Sequence, residues 1–398
     1  MNINDLPDDC LLLIFDQFYQ LRQFPILMKV CRRWKISAEK RLRKITHFDV
    51  TLTTRLRRIY HSLEQNHLPL ARKCIITINR KFLRKIKLSK LLPNVKIIHL
   101  ENLTKQCSCS ALINLLAKTQ QIKGLSVGLE LKYKHRFEMN HECNILKREE
   151  KRITSFLSDI QFLGIGNDLI VTNYLRTFGH LKKLKSLGNS IEKHSQYVNL
   201  LHVLKFSQFL TNLERLVTFC DHESDDFFHV ENQLPIFGNL LDLQLVDTSR
   251  EGSYTLTKFL NLCPNVLNLF LIVNSYRMDL MHQINRNFNV QRLDLFIFRW
   301  NSEKIIKTIE KFPNCRYLSI RGETSLSSHE LIHIIRTLPH LSLLLIEHAG
   351  RDSADQQVVK NFCHSQNRKI DVYFGSTNAK LFMSHELNQL LFNHFLHK

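Results

Sequence analysis

The pattern apolar-x-x-apolar-x-apolar returns along most of the chain and constrains its fold more than any other feature. It runs as Val95-x-x-Ile98-x-Leu100, Ile122-x-x-Leu125-x-Val127 and Ile160-x-x-Leu163-x-Ile165. It continues as Leu213-x-x-Leu216-x-Thr218, Leu240-x-x-Leu243-x-Leu245 and Val266-x-x-Leu269-x-Leu271. Then come Val290-x-x-Leu293-x-Leu295, Cys315-x-x-Leu318-x-Ile320 and Leu341-x-x-Leu344-x-Ile346. From Leu213 onward the starts are spaced 27, 26, 24, 25 and 26 residues. Weaker copies end at Val50, Ile78 and Val372, and an irregular one lies near Leu181 and Leu184. A near-constant period in the twenties marks a solenoid, because a short strand plus a helix cannot bury its apolar face alone and must stack on its neighbours. The expected fold class is α/β: a curved parallel sheet with helices on the convex side.

The segments between the strands carry helical spacing. Ser302 and Ser328 are placed to cap the runs Glu303–Phe312 and His329–Leu338. Ile305, Ile306, Ile309 and Phe312 make one stripe, and Leu331, Ile334, Ile335 and Leu338 make another. Pro313 and Pro339 then end the helices. The same Pro precedes Asn94-Val95 and Asn265-Val266. Glu130 to Lys151 is charged and stretches one unit to 38 residues, which reads as an exposed insertion (about 130–152). Asp221 to Glu231 is a local acidic patch, and the apolar spacing of residues 376–398 suits a C-terminal capping helix.

Residues 1–44 have a different character. Asp5-Leu6-Pro7-Asp8-Asp9-Cys10 precedes a helical stripe of Leu11, Ile14, Phe15 and Phe18. Asp8 and Asp9 suit a helix N-terminus, where the dipole favours negative charge. Pro25 is placed to open a second helix, with Ile26, Leu27, Val30, Cys31 and Trp34 on its inner face and Arg32, Arg33 and Lys35 toward its end. A module of this size holds more large apolar residues than it can bury alone, so it must dock on something.

The strings Leu6-Pro7-Asp8-Asp9, Leu13-Ile14-Phe15 and Val30-Cys31-Arg32-Arg33-Trp34 resemble the F-box. Phe18 stands where that family has Leu, and Tyr19 to Phe24 lacks its common Leu-Pro-Pro connector. The resemblance implies that Leu6, Pro7, Ile14, Phe15, Val30, Cys31 and Trp34 form, or support, an interface with the Skp adaptor subunit and, through it, cullin. The units over 45–375 are similar to the leucine-rich repeats found in F-box proteins, although the Asn or Cys row that follows the strand in that type is mostly missing. In that class the strands line the concave face. Protein substrate would then meet Asp242, Gln244, Asn268, Phe270, Arg292, Asp294, Tyr317, Ser319, Arg321, Leu345, Glu347 and His348, a mixture of aromatic, Arg and hydrogen-bonding groups that suits protein binding. The implied role is the non-catalytic substrate receptor of an SCF-type ubiquitin ligase.

Charge leaves alternatives open. The chain carries 56 Lys+Arg against 36 Asp+Glu, net +20. From Lys40 to Leu100 there are 16 basic residues and only Asp49 and Glu64 as acids. That stretch is either a site for an acidic or phosphorylated partner or a solvated face. A non-ligase scaffold and a basic nucleic-acid-binding repeat protein are the rival functions. The latter has only the charge in its favour, since no nucleic-acid module accompanies it, and nucleic acid is not the expected partner.

Ten Cys are scattered, mostly in apolar surroundings, which suits buried thiols in the cytoplasm or nucleus. The acidic start resembles no signal peptide, and no apolar run approaches the roughly 20 residues of a membrane helix. Cys107, Cys109, His141 and Cys143 lack the paired spacing of a structural zinc site, so no metal is expected. No G-x-S-x-G, P-loop or dinucleotide fingerprint is present, so neither a cofactor nor catalysis is expected.

Overall fold

The computed structural model describes residues 3–52, 73–78, 92–103, 122–129, 160–165, 183–188, 198–220, 234–247, 254–273, 283–297, 302–322, 326–347 and 353–374. The chain divides into two compact units. The first is Met1–Leu184 with Lys193–Gln196 and Leu387–Lys398, and the second is Lys185–Glu192 with Tyr197–Glu386. Both are α/β, and every described strand pairing is parallel.

The first unit opens with three helices, α1 (Asp8–Asp16), α2 (Phe24–Leu27) and α3 (Arg32–Lys44). Pro7 directly precedes α1, whose first turn holds Asp8 and Asp9. The single helix expected from Pro25 through the basic run is in fact two. α2 stops at Leu27, and Cys31 is fully extended (φ −160°, ψ 170°). Its sulfur accepts the Trp34 backbone N–H at 3.4 Å, so Cys31 caps a new helix instead of continuing the old one. Arg32, Arg33 and Lys35 therefore lie at the start of α3, and Arg41, Arg43 and Lys44 occupy the last turn that the dipole favours for cations. Ile26 and Val30 point outward, correcting their expected place on an inner face; Leu27 is the member of that set that is buried.

α3 leads through the buried Ile45 into β1 (His47–Leu52). With β2 (Lys73–Ile78), β3 (Ile97–Leu103), β4 (Gly124–Leu129) and β5 (Phe162–Ile165), the order in this unit is β2-β1-β3-β4-β5. A strict solenoid would advance one strand at a time. Here β1 pairs on both edges, His47 with Lys73 on one side and with Ile97 on the other.

In the second unit the short strands β6 (Ser186–Leu187) and β7 (Val198–Asn199) both pair with β8 (Arg215–Cys220). From β8 the sheet grows in chain order through β9 (Asp242–Asp247), β10 (Asn268–Val273), β11 (Arg292–Ile297), β12 (Tyr317–Gly322), β13 (Leu343–Ile346) and β14 (Asp371–Phe374). The strands follow the repeat pattern because its apolar positions fall on one face. Leu243 and Leu245, Leu269 and Leu271, Leu293 and Leu295, and Leu318 and Ile320 are all buried. Helices α4 (Leu200–Lys205), α5 (Tyr254–Asn261), α6 (Ser302–Ile309), α7 (Ser328–Thr337) and α8 (Ser353–Ser365) follow their strands. Of the first expected stripe Ile305, Ile309 and Phe312 are buried and Ile306 is half-buried; Leu331, Ile334, Ile335 and Leu338 of the second are all buried. The α7 cap is Ser327, one residue before the expected Ser328; its hydroxyl accepts from Glu330 N while the Glu330 carboxylate accepts from Ser327 N.

A row of asparagines holds several of the units in step, ahead of the strands β9 to β12 rather than after them. Asn239, Asn265, Asn289 and Asn314 stand three residues before β9 to β12. Their side-chain amides donate to the carbonyls of Thr211 (2.9 Å), Gly238 (2.7 Å), Pro264 (3.0 Å) and Phe288 (2.8 Å). Asn94 does the same before β3, donating to Arg43 at 2.7 Å. In each case the acceptor lies at the equivalent place ahead of the strand that pairs alongside. The insertion at 130–152, the acidic stretch 221–231, His348, the capping segment 376–398 and much of the basic stretch (53–72 and 79–91) lie outside the described residues.

Candidate functional site

Two surfaces carry the residues singled out by the sequence. The first is the helical start. Its motif residues close the module on itself. Arg33 donates from Nε to Asp8 Oδ1 at 2.7 Å and from Nη2 to the Leu6 carbonyl, so the Leu-Pro-Asp-Asp string grips the Arg-Arg-Trp string. Trp34 meets Phe15 edge to face, with ring centroids 5.4 Å apart at 80°. At the other end of α1, Asp16 accepts from Lys44 Nζ at 3.2 Å and approaches the fully buried Arg41 Nε to 3.3 Å. Arg41 Nη2 also donates to the Phe18 carbonyl at 3.3 Å.

The seven residues assigned to an adaptor interface therefore divide. Phe15 is buried and Leu6, Ile14 and Trp34 are half-buried, which makes them support; Pro7, Val30 and Cys31 are exposed. Sequence reasoning missed part of the outer surface. Leu13, Ile26 and Ile36 are 66%, 68% and 46% exposed, beside 54% for Val30. Leu13 was legible in principle, since it falls opposite the Leu11–Phe15 stripe of α1.

The second surface is the non-core face of the second unit's sheet. In-register pairing lines up the first positions of β8 to β12 as Arg215, Asp242, Asn268, Arg292 and Tyr317, and the third positions as Val217, Gln244, Phe270, Asp294 and Ser319. All eleven described face residues were expected to be exposed, and ten of them are not. Tyr317 is exposed; Asp242, Asn268, Phe270, Arg292, Arg321 and Glu347 are half-buried; Gln244, Asp294, Ser319 and Leu345 are buried. The third row is closed because longer neighbours fold across it. Arg292 Nε donates to Asp294 Oδ2 at 3.0 Å. Arg321 Nε donates to Ser319 Oγ at 3.3 Å, its Nη2 lies 4.0 Å from Asp294 Oδ1, and its guanidinium stands 5.9 Å from the Phe270 ring centre. Strands about 4.8 Å apart put such side chains within reach of the next strand but one. The Asn268 amide likewise donates to Asp242 Oδ1.

Sequence reasoning also passed over Arg215, which occupies on β8 the place of Asp242 on β9. Burial lowers its pKa to about 10, with the Asp242 charge partly offsetting that fall. Burial raises the Cys263 thiol pKa well above the ordinary range and takes that of Cys315 to about 12. Among the described residues there is no cluster of His, Cys, Asp and Glu able to hold a metal ion, and no helix long and apolar enough to cross a membrane. Compared with known proteins, the chain matches no protein-family model and no curated sequence.

Proposed function

We propose that this chain is the substrate-receptor subunit of an SCF-type cullin ubiquitin ligase, working in the cytoplasm or nucleus. In this reading residues 1–44 are an F-box that docks on the Skp adaptor, and the leucine-rich-repeat solenoid that follows holds a protein substrate. One observation carries the reading. Of nine large apolar residues exposed among the described ones, five (Ile3, Leu13, Ile26, Val30 and Ile36) lie in the first 36 residues. A helical module closed internally by its own motif residues, yet still presenting that much apolar side chain, is built to be covered. Covering each of these residues returns on the order of 1 kcal/mol. The mechanism is positional: the receptor raises the effective concentration of a substrate lysine near a ubiquitin-charged enzyme, and other subunits supply the chemistry.

The test is capture of recombinant Skp adaptor by the full chain and by the double variant Ile26→Asp, Val30→Asp. Both positions are exposed, so the variant keeps its far-UV circular dichroism and loses adaptor capture. Undiminished capture by the folded variant would refute the assignment.

A further inference from the structure

Among the described residues four large apolar side chains are exposed beyond the helical start. Two of them, Ile236 (68%) and Phe288 (56%), stand in the turns that lead into β9 and β11, on an edge of the sheet rather than on its face. Hydrogen bonds hold the neighbouring turns side by side. Phe237 N donates to the Leu262 carbonyl at 2.8 Å, and Asn289 Nδ2 donates to the Pro264 carbonyl at 3.0 Å. Half-buried Leu262 and exposed Pro264 therefore fill the step between Ile236 and Phe288. The four residues make one apolar strip across three units, its ends two strand spacings, about 10 Å, apart.

Charge along this edge has one sign. Residues 234–240, 262–267, 285–291 and 311–317 include Arg286, Lys311 and Arg316 and no Asp or Glu. The turn of Phe288 is tied to the next one by Asn287 N donating to the Lys311 carbonyl and Asn314 Nδ2 donating to the Phe288 carbonyl, both at 2.8 Å, which brings these cations to the end of the strip. Arg286 and Arg316 are exposed, and among the described residues neither forms an ion pair. A single exposed Phe is ordinary; a continuous apolar strip beside two guanidinium groups that hold no carboxylate of their own is a surface shaped for something both apolar and acidic. Nucleic acid held through its backbone makes on the order of six or more phosphate contacts, beyond what these cations supply. A bilayer takes up the whole apolar face of a basic amphipathic helix, not a narrow strip of turns. An extended peptide fits better. In a polyproline-type chain, residues three apart point the same way and lie about 9 Å apart, close to the length of the strip, and leave carboxylates between them to meet the guanidinium groups.

We propose that the turns ahead of β9 to β12 form a docking edge for an extended acidic segment of a partner protein that carries two large apolar side chains three residues apart. Ile236 and Phe288 receive the apolar side chains, and Arg286 and Arg316 receive the carboxylates. The edge is separate from the helical start and from the sheet face, so it stands or falls without the ligase reading.

Fluorescence anisotropy with the full chain tests it. The probes are a labelled, capped Glu-Glu-Leu-Glu-Glu-Leu-Glu-Glu peptide, its counterpart with Ala for each Leu, its counterpart with Lys for each Glu, and a labelled oligouridine. The parent peptide binds at least about tenfold more tightly than either counterpart. Arg286→Glu with Arg316→Glu weakens it about tenfold at low salt, and most of that difference vanishes in about 1 M salt, where the screening length falls to roughly 3 Å. Phe288→Ala weakens it several-fold. All three positions are exposed, and unchanged urea midpoints show that the variants are folded. No binding of the parent peptide, equal affinity for the Leu and Ala peptides, or folded variants indistinguishable from the parent chain overturns the proposal. Oligouridine that binds more tightly than the peptide, and is lost in the double variant, also overturns it and makes the edge a nucleic-acid site.

Discussion

Asn265 shows how a single side chain sets the step between units. Its amide donates at 2.7 Å to the Gly238 carbonyl, a bond between residues 27 apart in sequence. One such bond is worth about 1 kcal/mol net. Asn265→Ala is expected to cost about that much in chemical denaturation, and Asn265→Asp more, because a carboxylate cannot donate to the carbonyl. Gly322 sets a harder limit. Its φ is +97°, and a Cβ built there meets the Ile297 carbonyl oxygen at 2.0 Å. Gly322→Ala adds backbone strain to that clash, and a loss of at least about 2 kcal/mol by the same measurement is expected. The Pro-Asn string was plain in the sequence as a spacing, but its purpose was not, since the acceptor is a backbone carbonyl one unit away that no local pattern names. Arg215 was hidden differently. The repeat template places it beside Asp242, yet only the packed face shows it enclosed, with no partner for Nε among the described residues.

At the scale of elements, the period of apolar positions was enough to place β3, β4, β5 and β8 through β13, because one-sided burial of a strand leaves a signature of period two. Element ends were less legible. The Ile26, Val30 and Trp34 spacing reads as one helix, but the extended backbone of Cys31 breaks it and the sulfur starts α3 afresh. Propensity and spacing carry no trace of that cap, since Cys is not among the residues that ordinarily serve there. Ser327 and Ser328 posed a closer choice, and the reciprocal Glu330 bonds decide it. Ser327→Ala is therefore expected to destabilise by about 1 kcal/mol and Ser328→Ala to leave those bonds intact. Measured urea midpoints that fall in the opposite order would show that α7 is capped elsewhere. The order β2-β1-β3 had no sequence signal at all, because β1 and β2 carry the same kind of strand pattern and nothing local states which edge each strand takes.

At the scale of the molecule, the helical start and the first strands belong to one compact unit. α3 passes through Ile45 directly into β1, and Ile45, Phe48 and Val50 are fully buried alongside Ala38 and Leu42 of the helix. Deleting residues 1–44 would strip Leu11, Phe15, Phe24 and Leu42 from that core, each worth about 1.5–3 kcal/mol of burial. Such a truncation is expected to lower or abolish the unfolding transition of the first unit while that of the second persists, as seen by differential scanning calorimetry or by limited proteolysis. A single transition, unchanged in temperature, would mean that the helices contribute nothing to the strands they lead into. Loss of adaptor capture on truncation therefore confounds a missing surface with a broken unit. The outward substitutions at Ile26 and Val30 separate the two, because they change what the module presents without changing what holds it together.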